Sequence, residues 1–437
     1  MSFNKERYGE VFTPSFLVED IMSIIPSHYF RNAMFKWLDV GGGDGIFSTY
    51  LYNRLFEGLK DKVSDEDERR EHILENMIYI SEIQDEHLLT LREKGFINVI
   101  SGNFLDYNPG FSFDFIIGNP PYHVESVKKV PTNSCKDKKK DGITIWPSII
   151  RHCDTMLRDG GQIVMIIPSI WMKPDKEKMY DFITKYKIHS LSAMTNQMTL
   201  KIFKTAQTPT CFFRIEKVPK LLKKYPIQVY QRDLNKYISY VFRIGDPLPT
   251  SGYSIISKIH KHARQYGSIQ VEKTNMPPKA TLISSKKSFI HCYKNIRTAH
   301  LSGNDVVLVT DYSDRVLKYN NLPKVIFPHK MYGFPFLDEY GEYGISNRDS
   351  YVYLSNNIDE LRLVCNFFST DFALYLFDCT RYRMKYLEKY IFNFIPNLLR
   401  LPDFPKKITT DSLCHYFEID EREIIPKTKY SFQYRVQ

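Results

Sequence analysis

The sequence predicts an α/β fold, an open and mostly parallel sheet covered by helices, followed by an α+β region. Three observations predict it. Strand-like apolar runs alternate with helical patterns from residue 35 to residue 216. Polar turns follow four of those runs in succession. Near residue 217 the pattern becomes irregular and the charge changes sign.

Taken in order, "FKWLDV" (35–40) reads as a buried strand, "GGGDG" as a turn, and a helix starts near Ile46. "NMIYISE" (76–82) is the second strand, with a helix through "DEHLLTLREKG" after it. "INVISGN" (97–103) and "FDFIIGN" are the third and fourth strands. A helix runs from Trp146 through "PSIIRHCDTMLRDG", with Gly160 and Gly161 expected to end it. "QIVMIIP" is a fifth strand, "HSLSAMT" (189–195) a sixth, and "TPTCFFRIE" (208–216) a seventh that returns antiparallel. Acidic "DKVSDEDERRE" (61–71) reads as an exposed loop, and the lysine-rich stretch 123–142 as a mobile insertion.

A chain of 437 residues suggests two or three domains, and a boundary is placed near 217, giving 1–216 and 217–437. No apolar run is long enough to span a membrane, and "MSFNKERYGE" lacks the apolar core of a signal peptide. The seven cysteines are scattered, without a CxxC pair. That pattern implies reduced thiols in an intracellular protein that is not secreted, and argues against a zinc site, so no metal is expected. His260 and His262 read as surface residues.

Residues 1–216 hold 27 Lys and Arg against 29 Asp and Glu, whereas 217–437 hold 33 against 21. Most of the excess lies in 217–300, with 16 basic residues against 3 acidic ones. A neutral half joined to a basic half is the footprint of a polyanion binder, though a solvated lysine face would look the same.

In an open α/β sheet, ligands sit at the C-terminal ends of the strands. Asp39-Val40-Gly41-Gly42-Gly43-Asp44-Gly45 offers glycines where a backbone approaches a ligand at the mouth of a helix. Glu82 ends the second strand, where a carboxylate can accept both hydroxyls of a ribose. Asn103 follows the third and can meet the edge of an adenine, with Phe104 near its face. Asn119-Pro120-Pro121-Tyr122 ends the fourth. Strand ends are polar by default, so each alone is weak; the four in this order are much harder to dismiss.

From Tyr8 to about Glu216 the chain resembles the S-adenosylmethionine-dependent adenine-N6 DNA methyltransferases of the γ group. The resemblance rests on "YGEVFTPSFLVEDIM", "LDVGGGDG", "YISEIQDEHL", "ISGNFLDY" and "IIGNPPY", in that order, and on "KIFKTAQTPTCFFRI". It implies a Rossmann-like methyltransferase sheet in 1–216 and a target recognition domain in 217–437. It implies S-adenosylmethionine as cofactor, held by Phe12, Thr13, Pro14, Asp39, Gly41, Gly43, Gly45, Glu82, Ile83, Asn103, Phe104 and Asn119. Catalysis would fall to Asn119, Pro120, Pro121 and Tyr122, with Phe203 stacking on the target base. The family usually carries Asp where this chain has Asn103, a neutral and so weaker acceptor. "GISNRDSYVY" and "RYRMKYLEKYIFNFIP" match the C-terminal region more loosely.

The chemistry fits those residues. An adenine N6 is a poor nucleophile because its lone pair is delocalised into the ring. Acceptors at Asn119 Oδ1 and the Pro120 carbonyl would hold both amine hydrogens and free that lone pair, positioning it without a strong base. The base must first leave the duplex stack. Thr13 can cap a helix that starts near Pro14, whose N–H groups could receive a carboxylate. Double-stranded DNA is the expected partner, with Lys286, Lys287, Lys330, Arg381 and Arg383 as candidate phosphate contacts. "FPHKMYGFPF" (327–336), with His329, Lys330 and Tyr332, is a candidate reading loop, though an aromatic core turn would look alike.

Other readings stay open. NPPY enzymes also act on RNA adenine, cytosine N4 and protein glutamine, although they generally lack FTP and a large basic domain. A non-catalytic DNA-binding scaffold would have no need of an intact NPPY. No nuclease carboxylate–lysine cluster is found, so any cognate restriction endonuclease would act separately.

Overall fold

The computed structural model describes residues 11–124, 143–204, 208–302, 305–329, 334–382 and 387–424. Most of the lysine-rich stretch (125–142), Lys330, Tyr332 and Arg383 lie outside these residues. Two compact units form, Met1–Tyr230 with Tyr237–Gly245, and Gln231–Lys236 with Asp246–Gln437.

The first unit contains α1 (Ser15–Ser23), β1 (Trp37–Val40), α2 (Ile46–Gly58), α3 (Glu66–His72), β2 (Ile78–Glu82) and α4 (Asp85–Glu93). It continues through β3 (Asn98–Ser101), β4 (Phe113–Gly118), a short hairpin of β5 (His123–Val124) and β6 (Ile143–Thr144), and α5 (Trp146–Met156). β7 (Leu157–Pro168), α6 (Met179–Ile183), β8 (Lys187–Met194), α7 (Asn196–Phe203), β9 (Thr210–Glu216), β10 (Lys224–Gln231) and β11 (Lys236–Arg243) complete it. Nine strands make one sheet in the order β11-β10-β8-β9-β7-β4-β1-β2-β3. β9 runs antiparallel between β7 and β8, and the other pairings with β1, β2, β4 and β8 are parallel. This is the expected α/β architecture.

Its centre is aromatic. Trp37 stacks on Phe30 with centroids 5.3 Å apart and on Phe115 at 4.0 Å, all three rings buried. α5 turns Ile149, Ile150, Cys153 and Met156 inward at helical spacing.

Three local expectations are corrected. The acidic run expected as a loop contains α3, because Asp65 caps Asp67 and Glu68 N–H and basic Arg69, Arg70 and His72 close the last turn. Gly160 and Gly161 do not end α5; they lie inside β7, where its register against β4 slips between Phe113 and Phe115. The sheet also runs past residue 216. β10 and β11 bury residues on one face and leave the other, mixed polar and apolar, to solvent, which hides the strand pattern.

The second unit holds α8 (Tyr253–Tyr266), β12 (Glu272–Lys273), β13 (Ile283–Ser284), β14 (Tyr293–Ser302), β15 (Asp305–Ser313) and β16 (Lys324–Pro328). β17 (Phe336–Asp338), β18 (Gly344–Ile345), β19 (Ser350–Leu354), α9 (Ile358–Phe368), α10 (Asp371–Cys379) and α11 (Thr410–Tyr416) follow. Its sheets are β12-β19-β16-β17 and β13-β15-β14-β18. Gly252 starts α8 at φ 60, where a Cβ would lie 2.4 Å from Cys379 Sγ. His260 is buried against Phe394, centroids 4.8 Å apart, and His262 lies among Tyr266, Tyr416 and Phe417, so neither is a plain surface residue. Among the described residues no helix is long and apolar enough to cross a membrane.

Candidate active site

Strand order reverses at β1, which lies between β2 and β4, so a ligand crevice is expected outside the C-terminal ends of β1 and β4. The Gly-rich turn leaves β1 there and the NPPY turn leaves β4. Close packing of backbone joins them. Gly118 has φ 136, and a Cβ on it would fall 2.7 Å from the Val40 carbonyl oxygen and 3.1 Å from Asp39 Oδ1. Gly41 faces the other turn, its Cβ position 3.6 Å from Pro121 Cδ and 3.8 Å from the Asn119 carbonyl oxygen.

Asn119 is oriented by residues far away in sequence. Its Nδ2 donates to Thr13 Oγ1 at 3.0 Å and to the Val11 carbonyl at 3.5 Å. Its Oδ1 and the Pro120 carbonyl accept nothing among the described residues. The Tyr122 hydroxyl donates to the Ile166 carbonyl at 3.3 Å, and the Tyr122 carbonyl accepts from Ile145 N–H at 3.1 Å. Burial, and secondarily the nearby Cys211, hold the Tyr122 phenol well above its ordinary range, so it stays neutral.

Thr13 does not cap α1. Pro14 is the N-cap residue, without a side-chain bond, and the Thr13 hydroxyl is turned toward Asn119 instead. The N–H groups of Ser15 and Phe16, in the first turn of α1, have no acceptor among the described residues. Phe12 is 54% exposed, and its ring meets His87 edge-on at 5.9 Å.

Around the Gly-rich turn, Asp39 is buried. Its Oδ2 accepts from Ser48 Oγ at 2.6 Å, while Oδ1 is buried with no hydrogen-bond partner. Burial pushes the carboxyl up to about 7; the Ser48 bond offsets part of this, and the charges of Glu82 and Asp44 add to it. Glu82 accepts from Gly43 N–H at 2.7 Å on one oxygen, and from Ile83 and Gln84 N–H at 2.8 Å on the other. A carboxylate offers about four acceptor positions, so one is left, and a second needs the Gly43 bond to give way. Gly45 needs its lack of a Cβ for packing, since one would meet Leu91 Cδ2 at 2.7 Å. Gly43 borders open space. Ile83 is 47% exposed.

Asn103 serves its own turn. Oδ1 accepts from Leu105 N–H at 3.2 Å, capping the 3-10 turn Phe104–Asp106, and Nδ2 donates to Asp106 at 2.9 Å. Phe104 is buried, edge-on to His152 at 5.1 Å.

Phe203 ends α7. It is 7% exposed, within the apolar core that includes Met194 and Phe212, so stacking on a base would require the ring to leave that core. In the second unit Lys286 and Lys287 are exposed, whereas Arg381 is drawn into an ion pair with buried Asp378. In the candidate reading loop, Phe327 and Phe334 are buried, and His329 meets Tyr351 edge-on at 5.8 Å. Sequence reasoning missed the Val11 carbonyl, Ser48 and Ile166; of these only Ser48, a hydroxyl in the first turn after a Gly-rich loop, carried a readable signal.

An S-adenosylmethionine-like cofactor fits the residues present. The orphaned Asp39 Oδ1 suits an ammonium, Phe12 and Ile83 offer exposed apolar surface to a flat ring, and Gly43 leaves room for close approach.

Comparisons with known proteins place this geometry in context. One relative, the Type II methyltransferase M.TthHB8I of Thermus thermophilus, is 31% identical over 87 residues, 17% of this chain and 20% of that protein's length. The M protein of the Type I restriction enzyme EcoKI covers 50% of this chain and 47% of its own, at 15% identity and a TM-score of 0.38. A type I methyltransferase subunit from Streptococcus thermophilus covers 54% and 52%, at 14% identity and a TM-score of 0.34. Residues 26–203, which carry the Gly-rich turn, Glu82, Asn103 and the NPPY turn, match the Eco57I restriction-modification methylase family, for which S-adenosylmethionine is the expected cofactor.

Proposed function

We propose that this chain is a site-specific DNA methyltransferase that methylates adenine N6 in double-stranded DNA, on a base flipped out of the stack. The observation that carries the reading is the pair of acceptors at the end of β4. Thr13 and Val11 take the Asn119 amide hydrogens. Among the described residues, the neighbouring acceptors Asn119 Oδ1 and the Pro120 carbonyl take no hydrogen bond. An exocyclic amine with two hydrogens satisfies both, and its lone pair is released from the ring. Tyr122, held by its bond to Ile166, supplies a neutral ring for the base to lie on.

S-adenosylmethionine supplies the electrophilic methyl group when bound. Asp39 Oδ1 would hold its ammonium, Glu82 a ribose hydroxyl, and Phe12 and Ile83 its adenine. The Ser15 and Phe16 N–H groups suit its carboxylate. Neither Asn119 nor Tyr122 acts as a base, so the rate comes from positioning and electrostatics, and the proton released from N6 passes to solvent. The basic second unit supports the choice of substrate, with exposed Lys286 and Lys287 for phosphates. The Type II methyltransferase relative and the family matched by residues 26–203 support it too.

The test offers purified protein labelled cofactor together with duplex DNA, RNA or a glutamine-containing peptide, and identifies the modified nucleoside. N6-methyladenine in duplex DNA at one motif is expected. Methylated RNA or glutamine, or N4-methylcytosine, would overturn the substrate assignment, and no transfer to any acceptor would overturn the activity.

A further inference from the structure

Between β13 and β14 the second unit presents an apolar tip on a basic arm. Ser288 and His291 are bonded three ways. Ser288 N–H donates to the His291 carbonyl at 3.0 Å, His291 N–H donates to Ser288 Oγ at 3.0 Å, and Oγ meets His291 Nδ1 at 3.0 Å. These bonds close a loop with only Phe289 and Ile290 at its point. Phe289 is fully exposed and Ile290 is 61% exposed. Leu282 and Met276 on the same arm are also exposed. A short cross-bonded turn keeps the two side chains from folding back onto the protein, so they remain in water until a partner covers them.

The charge around the tip says what that partner is. Residues 273–304 contain six Lys and Arg and no Asp or Glu. Lys286 and Lys287, just before the tip, are exposed. Lys294, just after it, is held by the Tyr343 hydroxyl at 3.3 Å. The carboxylate at the base of the arm, Asp314, is engaged by Leu282 N–H and by Arg315, and a stretch of chain without any carboxylate of its own fits a dense line of phosphates. Phe and Ile are among the residue types that proteins drive between base steps of such a polymer.

We infer that Phe289 and Ile290 form an apolar wedge that enters duplex DNA at one base step, with Lys286 and Lys287 on the flanking phosphates. The inference rests on the proposed action on DNA and adds a residue-level device to it. Lysines supply salt-dependent attraction and carry no shape information. The wedge supplies contact that is independent of salt, at the cost of unstacking one step. That cost is lower where the step is already unpaired.

The experiment titrates the full chain into a fluorescent random-sequence duplex and into the same duplex carrying one mismatch, over a range of salt. Wild type is expected to favour the mismatched duplex by roughly tenfold. Phe289→Ser with Ile290→Ser is expected to erase that preference while leaving the salt slope and the unfolding temperature unchanged. Lys286→Gln with Lys287→Gln should keep the preference and reduce the slope by about 2. The inference is overturned if the serine variant keeps the wild-type preference, or if its only loss is binding to anionic lipid vesicles. Duplex binding and methylation by a wild type that shows no mismatch preference would overturn this inference alone; failure of wild type to bind any duplex would overturn the DNA reading with it.

Discussion

Asn119 Nδ2 and Thr13 Oγ1 are 3.0 Å apart, a bond that joins the turn after β4 to the residues just ahead of α1. It holds the Asn119 amide in place, while the Val11 carbonyl, which can only accept, keeps Nδ2 inward and Oδ1 outward. Without it, the amide is held only by the longer bond to the Val11 carbonyl, at 3.5 Å, and can swing away from its position. Thr13→Val, which keeps the shape and removes the acceptor, is expected to lower kcat by about 10–100-fold, and Thr13→Ser should restore most of it. Asn119→Ala should cost about 10²–10³ in kcat with cofactor affinity nearly unchanged. Steady-state kinetics with calorimetric titration of the cofactor checks all three. Equal activity of the valine and serine variants would remove Thr13 from any role in orienting the amide.

Asp39 gives a pH dependence with a definite sign. Its folded pKa, raised to about 7 from 3.8, means that the folded chain binds an extra proton between those values. The free protein therefore loses stability as pH rises through that window, by up to about 1.4 kcal/mol per pH unit, and stops losing it above about pH 7. An ammonium placed on Oδ1 favours the ionised form. Cofactor affinity should thus rise up to about tenfold per pH unit below pH 7 and level off above it, with proton release on binding. Titrations in buffers of different ionisation enthalpy measure that proton. Asp39→Asn should flatten both profiles; an unchanged affinity profile in that variant would place the ammonium elsewhere.

Asn103 explains its own departure from the usual aspartate. Its amide donates to Asp106 while its oxygen caps Leu105, a pair of roles that a carboxylate cannot fill together. Asn103→Asp sets two carboxylates 2.9 Å apart. Both sites are exposed, so the stability loss at neutral pH should stay within about 1 kcal/mol. It should shrink as pH falls, because protonating either group removes the repulsion. Combining Asn103→Asp with Asp106→Asn should recover the loss. Denaturant titrations at neutral and acid pH read this; a single variant more stable than wild type at neutral pH would contradict it.

Much of the site was legible because its residues sit at ends of strands that apolar runs mark clearly. Asp39, Glu82 and Asn119 are read from their place after "FKWL", "IYIS" and "FDFIIG". What escaped reading depends on contacts between distant segments. Nothing in "FTP" announces that its hydroxyl meets residue 119 rather than a helix N-terminus. β10 and β11 escape reading because one face of each is solvated, and Asp65 conceals a helix inside an acidic run because capping outweighs like-charge repulsion there. Asn103 is read from its place at a strand end, and its bonds to Leu105 and Asp106 within its own turn carry no mark in the sequence.

Phe203 separates two uses of one ring. It ends α7, two residues after exposed Lys201, and it is buried in the core that contains Val164, Ile166, Met194 and Phe212. α7 is itself fixed to the sheet, with Thr195 capping Met198 N–H and Thr199 Oγ1 meeting Thr210 Oγ1 at 3.1 Å. A ring so placed contributes through packing. Phe203→Ala should therefore cost about 3–5 kcal/mol of stability, the transfer loss plus an unfilled cavity. Phe203→Leu, which keeps most of the volume, should cost much less. A base held between two rings makes the opposite forecast, since the alanine variant would unfold near the wild-type temperature. Its complex with a duplex carrying 2-aminopurine at the target position would then change emission, because one quenching ring is gone. Thermal unfolding of the two variants, with emission from that complex, decides between them. Large destabilisation with unchanged emission assigns Phe203 to the core and leaves Tyr122 as the ring under the base; near-normal stability with altered emission would mean that Phe203 leaves the core when DNA binds.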